Sequence, residues 1–170
     1  MDSTGESFRR FVVAESASLL RIAWMLTGER AAAEDLLQTA FAKTWERWSR
    51  VSAEGSPGGY VRIVMVRTYA SWIRRRWRGE IPSAQLPETP VAESGFAAAD
   101  ERDRLLQALD ALPRRQRAAV VLRHYLDLSE QQAAEVLGCS VGSVKSHASR
   151  GLARLRAASA DPAWTEGELR

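Results

Sequence analysis

Apolar positions along the chain recur at helical intervals, and nowhere in the alternation of a half-buried strand. Phe8, Phe11, Val12, Leu19, Ile22, Ala23 and Leu26 fall near helical spacing, and Gly28 is placed to stop the helix they predict. A second helix is predicted over about residues 30–48. There Ala33, Leu37, Ala40, Phe41, Thr44, Trp45 and Trp48 make one apolar stripe, while Glu34, Asp35, Gln38, Lys43 and Glu46 occupy the other side. Residues 49–59, ending Ser56-Pro57-Gly58-Gly59, break the pattern and read as a loop. A third helix is predicted over 60–78. Val66, Tyr69, Ala70, Ile73 and Trp77 suit a core, and Arg67, Ser71, Arg74, Arg75 and Arg78 share another face.

The pattern then lapses. Residues 79–101 hold three prolines, five acidic residues and no Lys or Arg, the composition of a linker. Fully extended, this segment spans about 73 Å at about 3.3 Å per residue. Two turns of DNA measure about 70 Å. Helical spacing resumes with Leu105, Leu106, Leu109 and Leu112, and Pro113 suits the first turn of a helix running to about residue 125. The expected fold is all-α. Two small helical domains, 8–78 and 102–157, are joined by a flexible acidic linker, 79–101. A tail, 158–170, is too short for a further domain and reads as disordered or as a docking segment.

The segment from Ser129 carries the sharpest signal. Ser129 and Gln132 form a capping-box pattern, Gly138 suits a tight turn, and Ser140 is a good N-cap for a helix running to about residue 157. Ala134 lies four residues before the glycine and Val144 six after it, the spacing of two helices crossing over a short turn. This predicts a helix-turn-helix, whose second helix enters the DNA major groove. Val144, Ala148, Leu152 and Leu155 face the domain, and Gly142 permits close backbone approach. Ser143, Lys145, Ser146, His147 and Arg150 supply donors toward DNA, with His147 on the exposed side.

Charge placement agrees. The net charge is only +3, but Arg74, Arg75, Arg76 and Arg78 form one basic cluster, and Lys145, Arg150, Arg154 and Arg156 another. The lone Cys139 excludes an internal disulfide and suits a reducing interior; it reads as a small hydrophobe packed between the two helices. Cys139, His124 and His147 match no metal spacing, and no triad or phosphate loop is present. No metal, cofactor or catalytic residue is expected. The N-terminus lacks the pattern of a signal peptide, and no apolar run approaches the ~18 residues of a membrane span. A cytoplasmic protein without membrane contact is expected.

Four segments in order resemble the extracytoplasmic-function RNA polymerase sigma factors, of the SigE-like actinobacterial kind. They are Ala33-Glu34-Asp35-Leu36-Leu37-Gln38-Thr39-Ala40-Phe41, Tyr60-Val61-Arg62-Ile63-Val64-Met65-Val66-Arg67-Thr68-Tyr69, Leu112-Pro113-Arg114-Arg115-Gln116-Arg117 and the helix-turn-helix. The resemblance implies that the first domain is sigma region 2. It would bind the β′ clamp helices of core RNA polymerase through Asp35 and Gln38. It would also read and open the minus-ten element through Tyr60, Arg62, Arg67, Ser71, Arg74 and Arg75. The second domain would be sigma region 4, bound to the β flap and reading the minus-thirty-five element through Ser143, Lys145, Ser146, His147 and Arg150. The acidic linker would run through a path otherwise taken by RNA, and an anti-sigma factor is a candidate partner. Relatives often carry asparagine where Arg67 stands, so its base preference stays open. The other readings are a stand-alone helix-turn-helix regulator, which needs a dimerisation element, and an adaptor whose arginines bind acidic protein.

Overall fold

The computed structural model describes residues 3–77 and 101–159. Among these residues all regular structure is helical. The chain folds as two compact units, parting between Trp72 and Ile73. Arg78, the Trp77 side chain, the expected linker as far as residue 100 and the tail from residue 160 lie outside the described residues.

In the first unit α1 (Ser3–Thr27) packs along α2 (Arg30–Trp45). Gly28 ends α1 as expected, in the left-handed region at φ 70, with its N–H on the Trp24 carbonyl at 2.7 Å. Leu19, Ile22, Ala23, Met25 and Leu26 of α1 are buried against a broad apolar face of α2. That face includes Leu36, fully buried, which the expected stripe omitted, and not Trp45, which is 45% exposed.

The expected second helix is two. α2 breaks at Glu46–Arg47, and α3 (Trp48–Ala53) occupies half of the expected loop. Burial of Trp48 and Val51 is the reason. The Trp48 ring lies 5.0 Å from Phe8 and 5.1 Å from Phe11, centroid to centroid. Burying an indole and a valine is worth several kcal/mol, about 1.5–3 per large apolar side chain, and exceeds the loss of one or two helical hydrogen bonds. Phe8 is the centre of this aromatic group, meeting Phe11, Phe41 and Trp45 as well.

α4 (Pro57–Trp77) begins three residues earlier than the periodicity predicts, because Pro57 takes the first helical position and the Ser56 carbonyl accepts the Tyr60 N–H at 3.1 Å. Val61, Val64, Met65, Thr68, Tyr69, Ala70 and Ile73 are buried, while Val66 is only half-buried. Lys43 donates to the Thr68 hydroxyl at 3.3 Å, which ties α2 to α4.

The second unit comprises α5 (Glu101–Asp110), α6 (Arg114–Val120), a π-helical continuation over Val121–Tyr125, α7 (Glu130–Leu137) and α8 (Val141–Ala158). Leu109 and Leu112 are buried, and Leu105 and Leu106 half so. Both expected caps are present. Ser129 accepts the Gln132 amide at 3.1 Å while the Gln132 side chain accepts the Ser129 amide at 2.8 Å. Gly138 closes α7 at φ 64 with its N–H on the Ala134 carbonyl. The helix-turn-helix is therefore built from local chemistry at both ends of its turn.

Its placement is not local. α8 lies against α6 at Gly151, where a Cβ would stand 2.6 Å from Val120 Cγ2 and 3.2 Å from the Gln116 carbonyl oxygen. Glycine lets α8 approach α6 this closely without displacing Val120. Gly142, by contrast, is exposed, and a Cβ there would have Ser140 Oγ at 3.9 Å as its nearest neighbour, so its surface is open to a ligand.

Candidate nucleic-acid interface

Seating α8 on Val144, Ala148, Gly151 and Leu155 decides what it presents. Leu152, expected in this buried set, is half-buried, and Gly151 takes its place. Lys145, Ser149, Arg150, Arg154 and Arg156 are exposed. Of the five residues expected at DNA, Lys145 and Arg150 are thus exposed, and Ser143, Ser146 and His147 are half-buried. The Ser143 amide is held by the Ser140 hydroxyl at 3.1 Å, and the two hydroxyls share a hydrogen bond at 2.9 Å. Lys145 Nζ lies 3.5 Å from Glu130 Oε2, and Arg123 Nη2 lies 3.9 Å from the other oxygen of the same carboxylate. Nothing in the local sequence signals this arrangement, since its members come from three segments.

His147 departs from its expected place on the exposed side. Its Nδ1 is enclosed and has no hydrogen-bond partner. Burial first, then the positive charges of Arg115 and Arg150, lower its pKa from the ordinary 6.5. The imidazole is therefore neutral at neutral pH, a hydrogen-bonding group without charge. The folded value lies below the unfolded one. Its contribution to stability is thus complete above about pH 6.5 and is lost as pH falls through the lowered value. His147→Gln is expected to reduce the fall in melting temperature of the second unit between about pH 7 and pH 5. An unchanged profile would remove His147 as its source.

The same arginine faces Cys139. Burial raises the thiol pKa above 9.0, and Arg115 opposes the shift. A half-buried, protonated thiol behaves as a small hydrophobe, as expected, and its N–H closes the turn on the Ala134 carbonyl at 3.1 Å.

On α4, Arg62, Arg67, Ser71, Arg74 and Arg75 are exposed and Tyr60 is half-buried. The helix adds a residue that sequence reasoning passed over: Ile63, 52% exposed. It stands three residues after Tyr60 and four before Arg67, on their face of the helix. That spacing was the available signal. An apolar side chain among arginines can press on unstacked bases while the guanidinium groups hold phosphates.

On α2, Asp35 and Gln38 are exposed, and neighbouring Glu34 is engaged by Arg30 at 3.0 Å. Glu34 and Gln38 edge a groove of about 510 Å³ between α1 and α2, floored by Phe8, Val12, Leu20, Leu37 and Phe41. The combination of an apolar floor and a polar, acidic rim suits a protein partner better than nucleic acid. Among the described residues no cluster of His, Cys, Asp and Glu could hold a metal, and no helix is long and apolar enough to cross a membrane.

The family model described as Sigma-70 region 2 matches residues 11–79, and that described as Sigma-70, region 4 matches residues 102–155. The ECF RNA polymerase sigma factor SigE of Mycolicibacterium smegmatis is 30% identical over 168 residues, 91% of this chain and 64% of that protein. The RNA polymerase sigma-E factor of Streptomyces coelicolor is 41% identical over 149 residues, 88% of this chain and 84% of that protein. The chain belongs to the extracytoplasmic-function RNA polymerase sigma factors.

Within them this sigma factor is SigE-like. Its similarity to named sigma factors runs through both units, which sets aside the stand-alone regulator. The solved structure of the sigma factor RpoE of Bartonella quintana, in complex with the anti-sigma factor NepR, shares the fold. The TM-score is 0.58 at 23% identity, covering 90% of this chain and 96% of that one.

Proposed function

We propose that this sigma factor divides promoter recognition between its two helical units. The first, sigma region 2 at residues 8–78, docks on the β′ clamp helices of core polymerase through Asp35 and Gln38. It engages the opened minus-ten strand through Tyr60, Arg62, Arg67, Ser71, Arg74 and Arg75, with Ile63 among them. The second, sigma region 4 at 102–157, reads the minus-thirty-five element with α8, where Lys145 and Arg150 lead and Ser143, Ser146 and His147 act from half-buried positions. One observation carries the reading: the exposed charge of α4 and of α8 is positive alone, whereas α2 exposes Glu34, Asp35 and Gln38 between Arg30 and Lys43. DNA selects the two cationic faces, and a basic protein surface selects the third.

The protein acts as a non-catalytic subunit in the cytoplasm, and the chemistry of RNA synthesis belongs to the polymerase. An anti-sigma factor, like the one crystallised with the Bartonella sigma factor, is a further partner under this proposal.

Reconstitution with core polymerase, followed by sequencing of transcripts made from genomic DNA, tests the proposal. Transcripts sharing a minus-ten and a minus-thirty-five sequence are expected, and starts without shared elements would overturn it. Arg67→Asn is expected to lower permanganate reactivity of thymines in the opened region by about tenfold, the loss of one hydrogen bond to a charged group. Unchanged reactivity would take Arg67 out of strand opening.

A further inference from the structure

Glu130 occupies an unusual place in the second unit. It is the first residue of α7, yet its carboxylate faces cations from the segments on both sides. Arg123, at the end of the α6 continuation, donates through Nη1 to the Leu128 carbonyl and brings Nη2 to 3.9 Å from Glu130 Oε1. Lys145, on the DNA-facing side of α8, brings Nζ to 3.5 Å from Oε2. The carboxylate is 36% exposed and the lysine 61%, so the pair is open to solvent and to competition from a DNA phosphate.

An anion beside a DNA-binding cation has two effects. It repels any phosphate that approaches the lysine, which weakens backbone binding to every sequence alike. It also gives the flexible ammonium a resting partner, which only a better-placed acceptor can replace. A guanine edge in the major groove is such an acceptor and lies deeper than the phosphates. We propose that Glu130 is a specificity-determining residue. It holds Lys145 back from the DNA backbone, so that Lys145 commits only where the cognate minus-thirty-five element offers base-edge acceptors. The proposal rests on the reading of α8 as the helix that meets this element.

A purely structural role for Glu130, a favourable charge at the start of α7, predicts a change in stability and none in selectivity. Holoenzyme carrying the full chain separates the two. The probes are a duplex library randomised over the upstream element and the duplex that wild-type holoenzyme enriches from it. Glu130→Gln is expected to bind the unselected pool about threefold to fivefold tighter, the upper part of the range for removing one solvent-exposed competing ion pair. The ratio of enriched to unselected binding should fall by a similar factor, with steeper salt dependence. In a Lys145→Ala background the effect should shrink to less than about twofold. Unchanged selectivity in Glu130→Gln overturns the proposal, and so does an effect of equal size with and without Lys145. If wild-type holoenzyme enriches no upstream sequence, or Lys145→Ala alters binding to neither probe, the reading of α8 itself fails and the inference falls with it.

Discussion

Gly151→Val is expected to unfold the second unit and leave the first one standing. A Cβ at this position meets Val120 Cγ2 at 2.6 Å, the Gln116 carbonyl oxygen at 3.2 Å and Gln116 Cβ at 3.5 Å. These neighbours are themselves buried or part of the backbone. Val120 is 1% exposed, Gln116 is 8% exposed, and the oxygen belongs to the backbone of α6. Overpacking of this kind costs about 1–3 kcal/mol, and the two further valine methyls place this case at or above the upper end. Helix propensity offsets little, since replacing glycine gains only about 0.5–1 kcal/mol before the clash. Hydrogen exchange on the full chain reads the outcome. Amides of α6 and α8 should lose protection while those of α1 and α2 keep it. Retained protection in α8 would show that the two helices can part without cost. Gly151→Ala should fall between wild type and valine, because its Cβ makes the same three close contacts but brings no further methyls.

Asp35→Arg is expected to lower affinity for core polymerase at least tenfold without lowering the melting temperature. Asp35 is exposed and enters no ion pair among the described residues, so reversal breaks nothing inside the fold. A charge-assisted hydrogen bond to a basic partner contributes about 1.5–3 kcal/mol, and placing a like charge there adds repulsion to its loss. Gln38→Ala should cost less, about threefold to tenfold, as an uncharged hydrogen bond is worth about 1 kcal/mol. Fluorescence titration of labelled protein with core enzyme distinguishes the two. Equal binding by wild type and Asp35→Arg would end the assignment of this face to the polymerase.

Local chemistry left clear marks in the chain. Gly28, Ser129, Gln132, Gly138 and Ser140 act through neighbours within four residues, and each does what its side chain or its freedom at positive φ prescribes. Helical spacing also groups the basic residues of α4 and of α8 on shared faces, because a helix sends every third or fourth residue to one side. Less legible was α3. Ser49, Ser52 and Gly55 look like loop residues, and the buried pair Trp48 and Val51 is too short a pattern to outweigh them. The aromatic contacts of Trp48 with Phe8 and Phe11 join residues about forty positions apart, beyond any local window. Leu36 escaped for a related reason. The expected stripe stepped one turn from Ala33 straight to Leu37, whereas the apolar face of α2 is broad enough to bury Leu36 and Leu37 together.

The sequence by itself determined the helical class and the caps and turn of the helix-turn-helix, since these rest on short-range spacing and residue chemistry, and the resemblance of four of its segments pointed to the family. The tertiary structure alone decided which of those side chains are available. Close packing at Gly151 sets the rotation of α8, and that rotation exposes Lys145 and Arg150 while drawing His147 toward Arg115. Folding of three separate segments brings Arg123, Glu130 and Lys145 to one carboxylate. Packing and electrostatics act through space, so their consequences for DNA recognition are invisible in the order of residues along the chain.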